Sequence, residues 1–205
     1  MFIIIGFLVA YNLNLARVKY EGGDWYNDPS SLKNLAAGLN ARTTINTNPE
    51  ETVVSLMDKT IFDYPFLFLT GHGNIKLSNL EIENLKTYLI NGGFLYVDDD
   101  YGIDSSFRQE IEKAFPSLEF EELAYSHPVY HSFYDFTYLP KIHKHNGKTP
   151  KCYGMFYQGK LVILYTYETN ISDGWADESV HKDPEIKREE AFKFGINILV
   201  YAMTQ

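Results

Sequence analysis

Three carboxylates stand side by side at Asp98, Asp99 and Asp100, directly after the apolar run at residues 94–97. Adjacent like charges destabilise a fold unless a cation, backbone amides or histidines offset them. One interpretation is a site for a divalent metal ion or a cationic ligand. The other is a structural turn in which one Asp caps the next segment, one binds loop amides and one is solvated. The structural interpretation is preferred, with Asp98 the most buried.

Histidines supply the other candidate metal ligands. His72 follows the apolar run at residues 66–69, and His127 and His131 flank Pro128. Because proline disfavours a helix through both histidines, these two would have to reach the acidic cluster through the fold. The alternative interpretation is that His127 and His131 are structural or exposed loop histidines without a role as metal ligands. The candidate metal set is Asp98, Asp100, His72, His127 and His131.

Glycines and loop tryptophans complete the candidate site. Gly71 and Gly73 leave backbone amides bare near a predicted helix start, which suits an anion, although tight turns need glycine in any case. Two loops each pair an acid with an indole, Asp24 with Trp25 and Asp173 with Trp175, and such pairs suit a sugar-like or amine ligand. The alternative interpretation is a tryptophan that plugs the end of the sheet. The candidate ligand-binding residues are Asp24, Trp25, Gly71, His72, Gly73, Asp98, Asp99, Asp100, Tyr101, Asp173 and Trp175.

Composition and missing motifs restrict the function further. The formal net charge is -9 and no basic cluster occurs, so nucleic acid is not expected as a partner. The sequence has no Gly-x-Ser-x-Gly elbow, phosphate-binding loop or complete dinucleotide fingerprint. Cys152 is the single cysteine, in a loop context that does not suit a nucleophile, and it is interpreted as replaceable.

The elements that would position these residues alternate between strand and helix. The apolar runs at 66–69 and 94–97 are each followed by a helical pattern, which predicts a parallel sheet flanked by helices. Ligands of such sheets bind beyond the carboxyl ends of the strands. Asp28 with Pro29, and Ser78 with Glu81, predict two helix starts. A hairpin is predicted around residues 155–167, and Gly195 is expected to let the last helix approach the sheet.

The first sixteen residues are uncharged and largely apolar. This run is too short to span a bilayer and suits a secretory leader or a short anchor, which predicts an extracytoplasmic protein. A buried N-terminal strand, or a misassigned start in a cytoplasmic protein, is the alternative. Residues 17–205 are expected to form a single α/β domain that folds without the first sixteen. No transmembrane span is expected beyond the possible leader.

Several blocks together resemble a bacterial family catalogued as a domain of unknown function, DUF4159. The resemblance covers nearly the whole chain after the leader. It rests on residues 22–26, 65–73, 92–102, 127–131 and 173–175 and on the helix at 188–202. It implies a three-layer fold similar to class I glutamine amidotransferases and flavodoxins, and export or attachment to envelope proteins. No activity is established for the family, so it implies no catalytic residues.

Two functions follow as expectations. The first is a non-catalytic module of the cell envelope that binds a small molecule or an envelope protein in a groove lined by Trp25, His72, the Asp98–Asp100 turn and Trp175. The second is a metal-dependent hydrolase that uses the Asp/His cluster at the carboxyl ends of the strands, with a metal-bound water as nucleophile. Convergence of the predicted ligands within coordination distance would distinguish the two.

Overall fold

The computed structural model describes residues 12–143 and 147–205. The main sheet has seven strands, namely β1 (Leu15–Lys19), β2 (Thr52–Ser55), β3 (Phe66–Leu69), β4 (Phe94–Asp98), β5 (Glu121–Glu122), β6 (Lys151–Tyr157) and β7 (Lys160–Tyr167). Their order is β2-β1-β3-β4-β7-β6-β5. The first five strands in this order pair in parallel, while β6 and β5 join antiparallel. The predicted mostly parallel sheet with a C-terminal hairpin is confirmed.

Helices cover both faces of this sheet. They are α1 (Ser31–Arg42), α2 (Asn79–Ile90), α3 (Asp104–Ala114), the single turn α4 (Glu178–His181) and α5 (Glu185–Thr204), with 3-10 turns at Lys59–Asp63, Pro128–Tyr130 and Asp173–Trp175. Two small sheets pair Asn12–Leu13 with Asn46–Thr47 and Glu21–Gly23 with Gly73–Lys76. None of the helices in the described ranges is both long and apolar enough to cross a bilayer.

The continuous apolar strands are buried on both faces. In β3, Phe66 and Phe68 pack into the core under α1 and α5, whereas Leu67 and Leu69 pack into the core under α2 and α3. Alternate side chains of a strand point to opposite faces, so a strand covered on both sides needs apolar residues at every position. This pattern builds the three layers that the sequence predicts.

The helix starts were predicted with mixed success. Ser78 and Glu81 form the predicted capping box at α2, in which the Ser78 hydroxyl accepts from the Glu81 amide and the Glu81 carboxylate accepts from the Ser78 amide. The start of α1 is later than predicted, because Ser30 is its N-cap and Asp28 lies in the left-handed region at φ 49°. Asp28 therefore does not cap the helix.

Gly195 on α5 is a close-contact glycine, but its neighbours differ from those expected. A β-carbon at this position would lie 2.6 Å from Leu35 Cδ1 of α1 and 2.6 Å from Trp175 Cζ2. The expected approach to the sheet is therefore wrong. The absent side chain allows α5 to pack against α1 and the Trp175 ring.

The main sheet begins before residue 17, the expected start of the domain. Leu15 and Ala16 lie in β1, where they pair with Phe66 and Leu67 and are buried. A strand between two neighbours needs its full length to satisfy its backbone groups, so these residues belong to the folded domain. Residues 1–11, which carry most of the predicted leader, lie outside the described residues.

The connections place a topological switch point at one end of the sheet. We call the space there, between the loops after β1 and β3, the crevice. From β1 the chain passes through α1 on one face, and from β3 it passes through α2 on the other face. The loops after these adjacent strands therefore diverge to opposite sides, which is the topological switch point where open α/β sheets bind ligands. The candidate residues lie on these loops and on the loops after β4 and β7, except His127 and His131, which lie on the segment after β5.

Candidate functional site

His72 joins two carboxylates at the crevice between β1 and β3. Its Nδ1 lies 3.0 Å from Asp24 Oδ2 and its Nε2 lies 3.2 Å from Asp100 Oδ2. The side chain of His72 is 37% exposed, that of Asp24 is similarly exposed, and that of Asp100 is buried. The structure thus brings together three of the residues that the sequence predicts, one from each of three loops.

Asp100 is held by amides as well as by the imidazole. Asn27, on the loop after β1, donates to Asp100 Oδ2, and Asn170, on the loop after β7, donates to Asp100 Oδ1 at 2.5 Å. Asn170 also donates to the Asp100 carbonyl at 2.8 Å. Asp100, the third carboxylate of the acidic turn, therefore connects the loops after β1, β3, β4 and β7.

The glycines beside His72 shape the turn. Gly71 has φ +133°, and a β-carbon there would lie 2.6 Å from the Tyr20 hydroxyl, so glycine is required. The amides of His72 and Gly73 are bound by Asp24 Oδ1 and the Tyr101 carbonyl. Gly73 begins a short strand, and α2 begins six residues later at Asn79. The expected anion site at a helix start is therefore wrong.

Asp98 is a structural carboxylate. Its Oδ1 accepts from the hydroxyls of Thr166 and Thr169 at 2.6 and 3.0 Å, and its Oδ2 accepts from the Ser172 amide and hydroxyl at 2.7 and 2.8 Å. Burial raises the pKa of Asp98, and these hydrogen bonds oppose that shift. Both oxygens of Asp98 are bonded to protein donors, which leaves no position for a metal ion and agrees with a structural role. The expectation that one Asp of the turn is solvated is wrong, because all three are buried.

Asp99 faces the other side of the sheet, as the extended geometry predicts. It binds the start of the α3 segment through Oδ1, which accepts from the Ile103 amide at 3.1 Å, and its Oδ2 accepts from the Tyr165 hydroxyl at 3.3 Å. Burial raises the pKa of Asp99 to about 7, and the Asp98 charge adds to the shift. Asp99 is thus a capping residue and lies outside the crevice.

A second cluster, which we call the inner cluster, contains Asp28, Asp173 and His181. One ligand atom from each residue lies within 4.8 Å of the others. His181 Nε2 is 2.7 Å from Asp28 Oδ1, and His181 Nδ1 is 4.0 Å from Asp173 Oδ2. Burial, together with the charges of Asp100 and Asp28, raises the pKa of Asp173 well above its usual range. Asp100 thereby links the inner cluster to His72.

Arg17 holds in place the loop after β1, which carries Asp24, Asn27 and Asp28. This fully buried guanidinium pairs with Glu51 at 2.7 Å and donates to the carbonyls of Trp25, Asn27 and Asp28. A planar group with five donors can hold several carbonyls at once. Arg17 is therefore the positioning residue for the loop after β1.

The two tryptophans differ from the expected groove lining. Trp175 is fully buried, donates to the Ala191 carbonyl at 2.8 Å and packs against Phe68 and Tyr96. It plugs the end of the sheet, which was the alternative interpretation. Trp25 is half-buried beside Tyr26, with Lys19 Nζ 5.8 Å from its ring centroid, and it stays near the crevice.

The histidines around Pro128 do not reach the acidic residues. His127 packs between Phe156 and Tyr201, and its Nδ1 accepts from the Val129 amide. His131 binds Asp135 at 3.1 Å and the Tyr125 carbonyl at 2.8 Å. Both lie on the segment that packs against α5, so their expected role as ligands beside Asp98 and Asp100 is wrong. The predicted metal set does not converge.

Sequence reasoning missed Asn27, Asn170 and two members of the inner cluster. Asp28 was interpreted as a helix cap, and His181 was given no role. The signal was present, because both residues follow the carboxyl ends of parallel strands, the rule that identified His72 and Asp100. Cys152, by contrast, is buried and its pKa is raised to about 12 by burial, which agrees with its interpretation as a non-nucleophile.

Comparison with known proteins places the chain in a family. No curated protein matches it significantly. One family model matches residues 14–203 of the 205, which includes the crevice, the inner cluster and every strand of the main sheet. The chain therefore belongs to the family described as a domain of unknown function, DUF4159.

Proposed function

We propose that the chain is an extracytoplasmic ligand-binding domain whose crevice between β1 and β3 takes a small amine. The observation that carries this proposal is the position of His72 and Asp24, which lie half-exposed at the topological switch point. Open α/β sheets bind ligands at this position. Both nitrogens of His72 face carboxylates, so the ring bridges loops and is poorly placed to act as a base.

The charge of the crevice favours a cationic ligand. The Asp24 carboxylate accepts from His72 yet remains partly exposed, and the buried Asp100 adds negative potential behind it. Tyr26 and Tyr101, both exposed, stand on the same loops as Asp24 and Asp100. A carboxylate beside aromatic faces suits an ammonium group, because the ring quadrupole and the anion attract the same charge. The net charge of -9 disfavours a polyanion.

A thermal-shift titration with spermidine, putrescine and agmatine tests the crevice, with trehalose as a neutral comparison. At least one amine should raise the melting temperature of the wild-type chain, in EDTA. Asp24→Asn should abolish this shift, while Asp135→Asn, a change to an exposed carboxylate on the segment against α5, should leave it intact. Stabilisation by trehalose alone would indicate a sugar ligand and contradict the proposal. A partner protein that protects the crevice from exchange would indicate an envelope-protein ligand.

The extracytoplasmic location rests on the apolar, uncharged run at the start of the sequence. Fractionation of cells that express the full chain tests it. The protein should appear in the periplasmic or membrane-attached fraction, and recovery only with cytoplasmic markers would contradict the location without affecting the crevice.

A metal-dependent hydrolase is the second candidate function, and the inner cluster favours it. Asp28, Asp173 and His181 approach one another closely enough to share an ion, as such an enzyme requires. Hydrolysis of p-nitrophenyl acetate or bis-p-nitrophenyl phosphate that depends on added Zn²⁺ and disappears in His181→Gln would favour the enzyme over the binding module.

A further inference from the structure

The inner cluster contains two buried carboxylate oxygens that nothing in the described chain satisfies. Asp28 Oδ2 and Asp173 Oδ1 have no hydrogen-bond partner among the described residues, and the two side chains are 1% and 2% exposed. A buried carboxylate oxygen that receives no hydrogen bond destabilises a fold. Two of them on converging loops therefore point to a missing cationic partner.

Asp98 shows that this fold can satisfy a buried carboxylate when the role is structural. Both of its oxygens receive two protein donors, from Thr166, Thr169 and Ser172. Asp173 follows Ser172 directly, on the same loop, yet its Oδ1 receives none. The difference therefore lies between adjacent residues of one loop.

The positive charge available to the inner cluster is too small. Within the described ranges, no Lys or Arg side chain forms an ion pair with Asp28 or Asp173, and His181 is the basic side chain beside both. Arg17 donates to the Asp28 carbonyl and not to the Asp28 carboxylate. The two carboxyl groups, which also lie near Asp100, therefore share a single imidazole.

We propose that Asp28, Asp173 and His181 bind a divalent transition-metal ion. The ligand set of two carboxylates and one imidazole suits Zn²⁺ or Mn²⁺ better than Ca²⁺ or Mg²⁺, which prefer oxygen ligands alone. An ion bound at about 2.0–2.2 Å brings its ligand atoms to about 3–4 Å from one another. One ligand atom from each of the three residues lies within 4.8 Å of the others, and one ring nitrogen of His181 would bind the ion. This site is separate from the amine crevice and does not depend on it.

Calorimetric titration of the EDTA-treated full chain with Zn²⁺ and with Mn²⁺ tests the proposal, with Ca²⁺ for comparison. Zn²⁺ or Mn²⁺ should bind with one ion per chain. The affinity should fall more than about 100-fold in His181→Gln and in Asp173→Asn, since each removes a direct ligand. His131→Gln is the matched control, because His131 also pairs with an aspartate but lies on the segment against α5.

Stability of the metal-free chain supplies a second readout that separates binding from folding. Asp173→Asn should melt at a higher temperature than the wild type in EDTA, because it removes an ionisable group whose burial is unfavourable, and it should lose the stabilisation that Zn²⁺ confers. A purely structural cluster would give the opposite sign.

Two calorimetric outcomes would overturn the metal site: no binding of Zn²⁺ or Mn²⁺ at millimolar concentration, or equal binding in His181→Gln and His131→Gln. A third outcome that would overturn it is a lower melting temperature of Asp173→Asn with an unchanged response to Zn²⁺. The spermidine titration in EDTA is independent of all three. Failure of the amine proposal can therefore be distinguished from failure of the metal site.

Discussion

Asn27 donates its side-chain amide to the carboxylate of Asp100, a residue 73 positions later, and so ties the loop after β1 to the loop after β4. Between these strands lies β3, whose following loop contributes His72 to the same carboxylate. The bond therefore spans the topological switch point and closes one side of the crevice. It also sets Asp28, the next residue, beside the loop that carries Asp173.

Removal of residues 1–16 should destabilise the domain. Leu13, Leu15 and Ala16 are buried, and β1 loses its pairing of Leu15 and Ala16 with β3 when they are absent. A chain that begins at Arg17 should have a free energy of unfolding lower by several kcal/mol than one that begins at Asn12, because two buried leucines alone account for roughly 3–6 kcal/mol. Urea denaturation of both chains measures the difference. Equal midpoints would show that residues 12–16 are dispensable.

Asp98→Asn should lower stability at neutral pH. The asparagine amide group would face either the Ser172 amide or the threonine hydroxyls, so a buried donor would lose its acceptor. The expected loss is about 1–3 kcal/mol, observed as a lower midpoint in urea at unchanged slope. Asp58→Asn, at an exposed position, is the control. A stabilised Asp98→Asn would revive a binding role for Asp98.

Asp99→Asn, unlike Asp98→Asn, should be more stable than the wild type at neutral pH, and its advantage should increase with pH. The pKa of Asp99 is raised to about 7 in the folded chain, above the ordinary value of 3.8. The stability that the protonated group contributes is therefore fully present below about pH 4 and is lost as the pH rises through about 7. Asparagine stays neutral and keeps a carbonyl for the Ile103 amide. The stability of the variant relative to the wild type should therefore increase by roughly 3 kcal/mol between pH 4.5 and pH 7.5.

Denaturation of Asp99→Asn and wild type at pH 4.5, 6.0 and 7.5 measures this change, with Asp58→Asn as the reference. The difference between the two chains should widen with pH only for Asp99→Asn. A constant difference across this range would mean that Asp99 titrates at its ordinary value and is better solvated than its burial indicates.

Gly195→Leu should destabilise through overpacking. The new side chain would collide with Leu35 and the Trp175 ring, whose atoms lie 2.6 Å from the position of its β-carbon. The expected cost is about 1–3 kcal/mol, a fall of several degrees in melting temperature. Lys193→Leu, a partly exposed position on the same helix, should leave the melting temperature nearly unchanged. Similar melting temperatures for Gly195→Leu and wild type would show that α5 can shift away from α1.

The sequence by itself determined the layers and most of the elements. Continuous apolar runs such as Phe66–Leu69 are sufficient to predict strands buried on both faces, because burial of both faces leaves no position for a polar side chain. The capping box at Ser78 and Glu81 is local, so its residues are readable within one turn. The preference for a structural Asp98 followed from its position at the end of an apolar strand.

The membership of the site was decided by the tertiary structure. Asp28, Asp173 and His181 lie far apart along the chain, and only the strand order brings the loops after β1 and β7 together beside Asp100. His127 and His131 resemble metal ligands in sequence as closely as His72 does, yet their segment packs against α5. Side-chain chemistry is encoded residue by residue, whereas distance between loops depends on which strands are neighbours, and that is fixed by packing of the whole sheet.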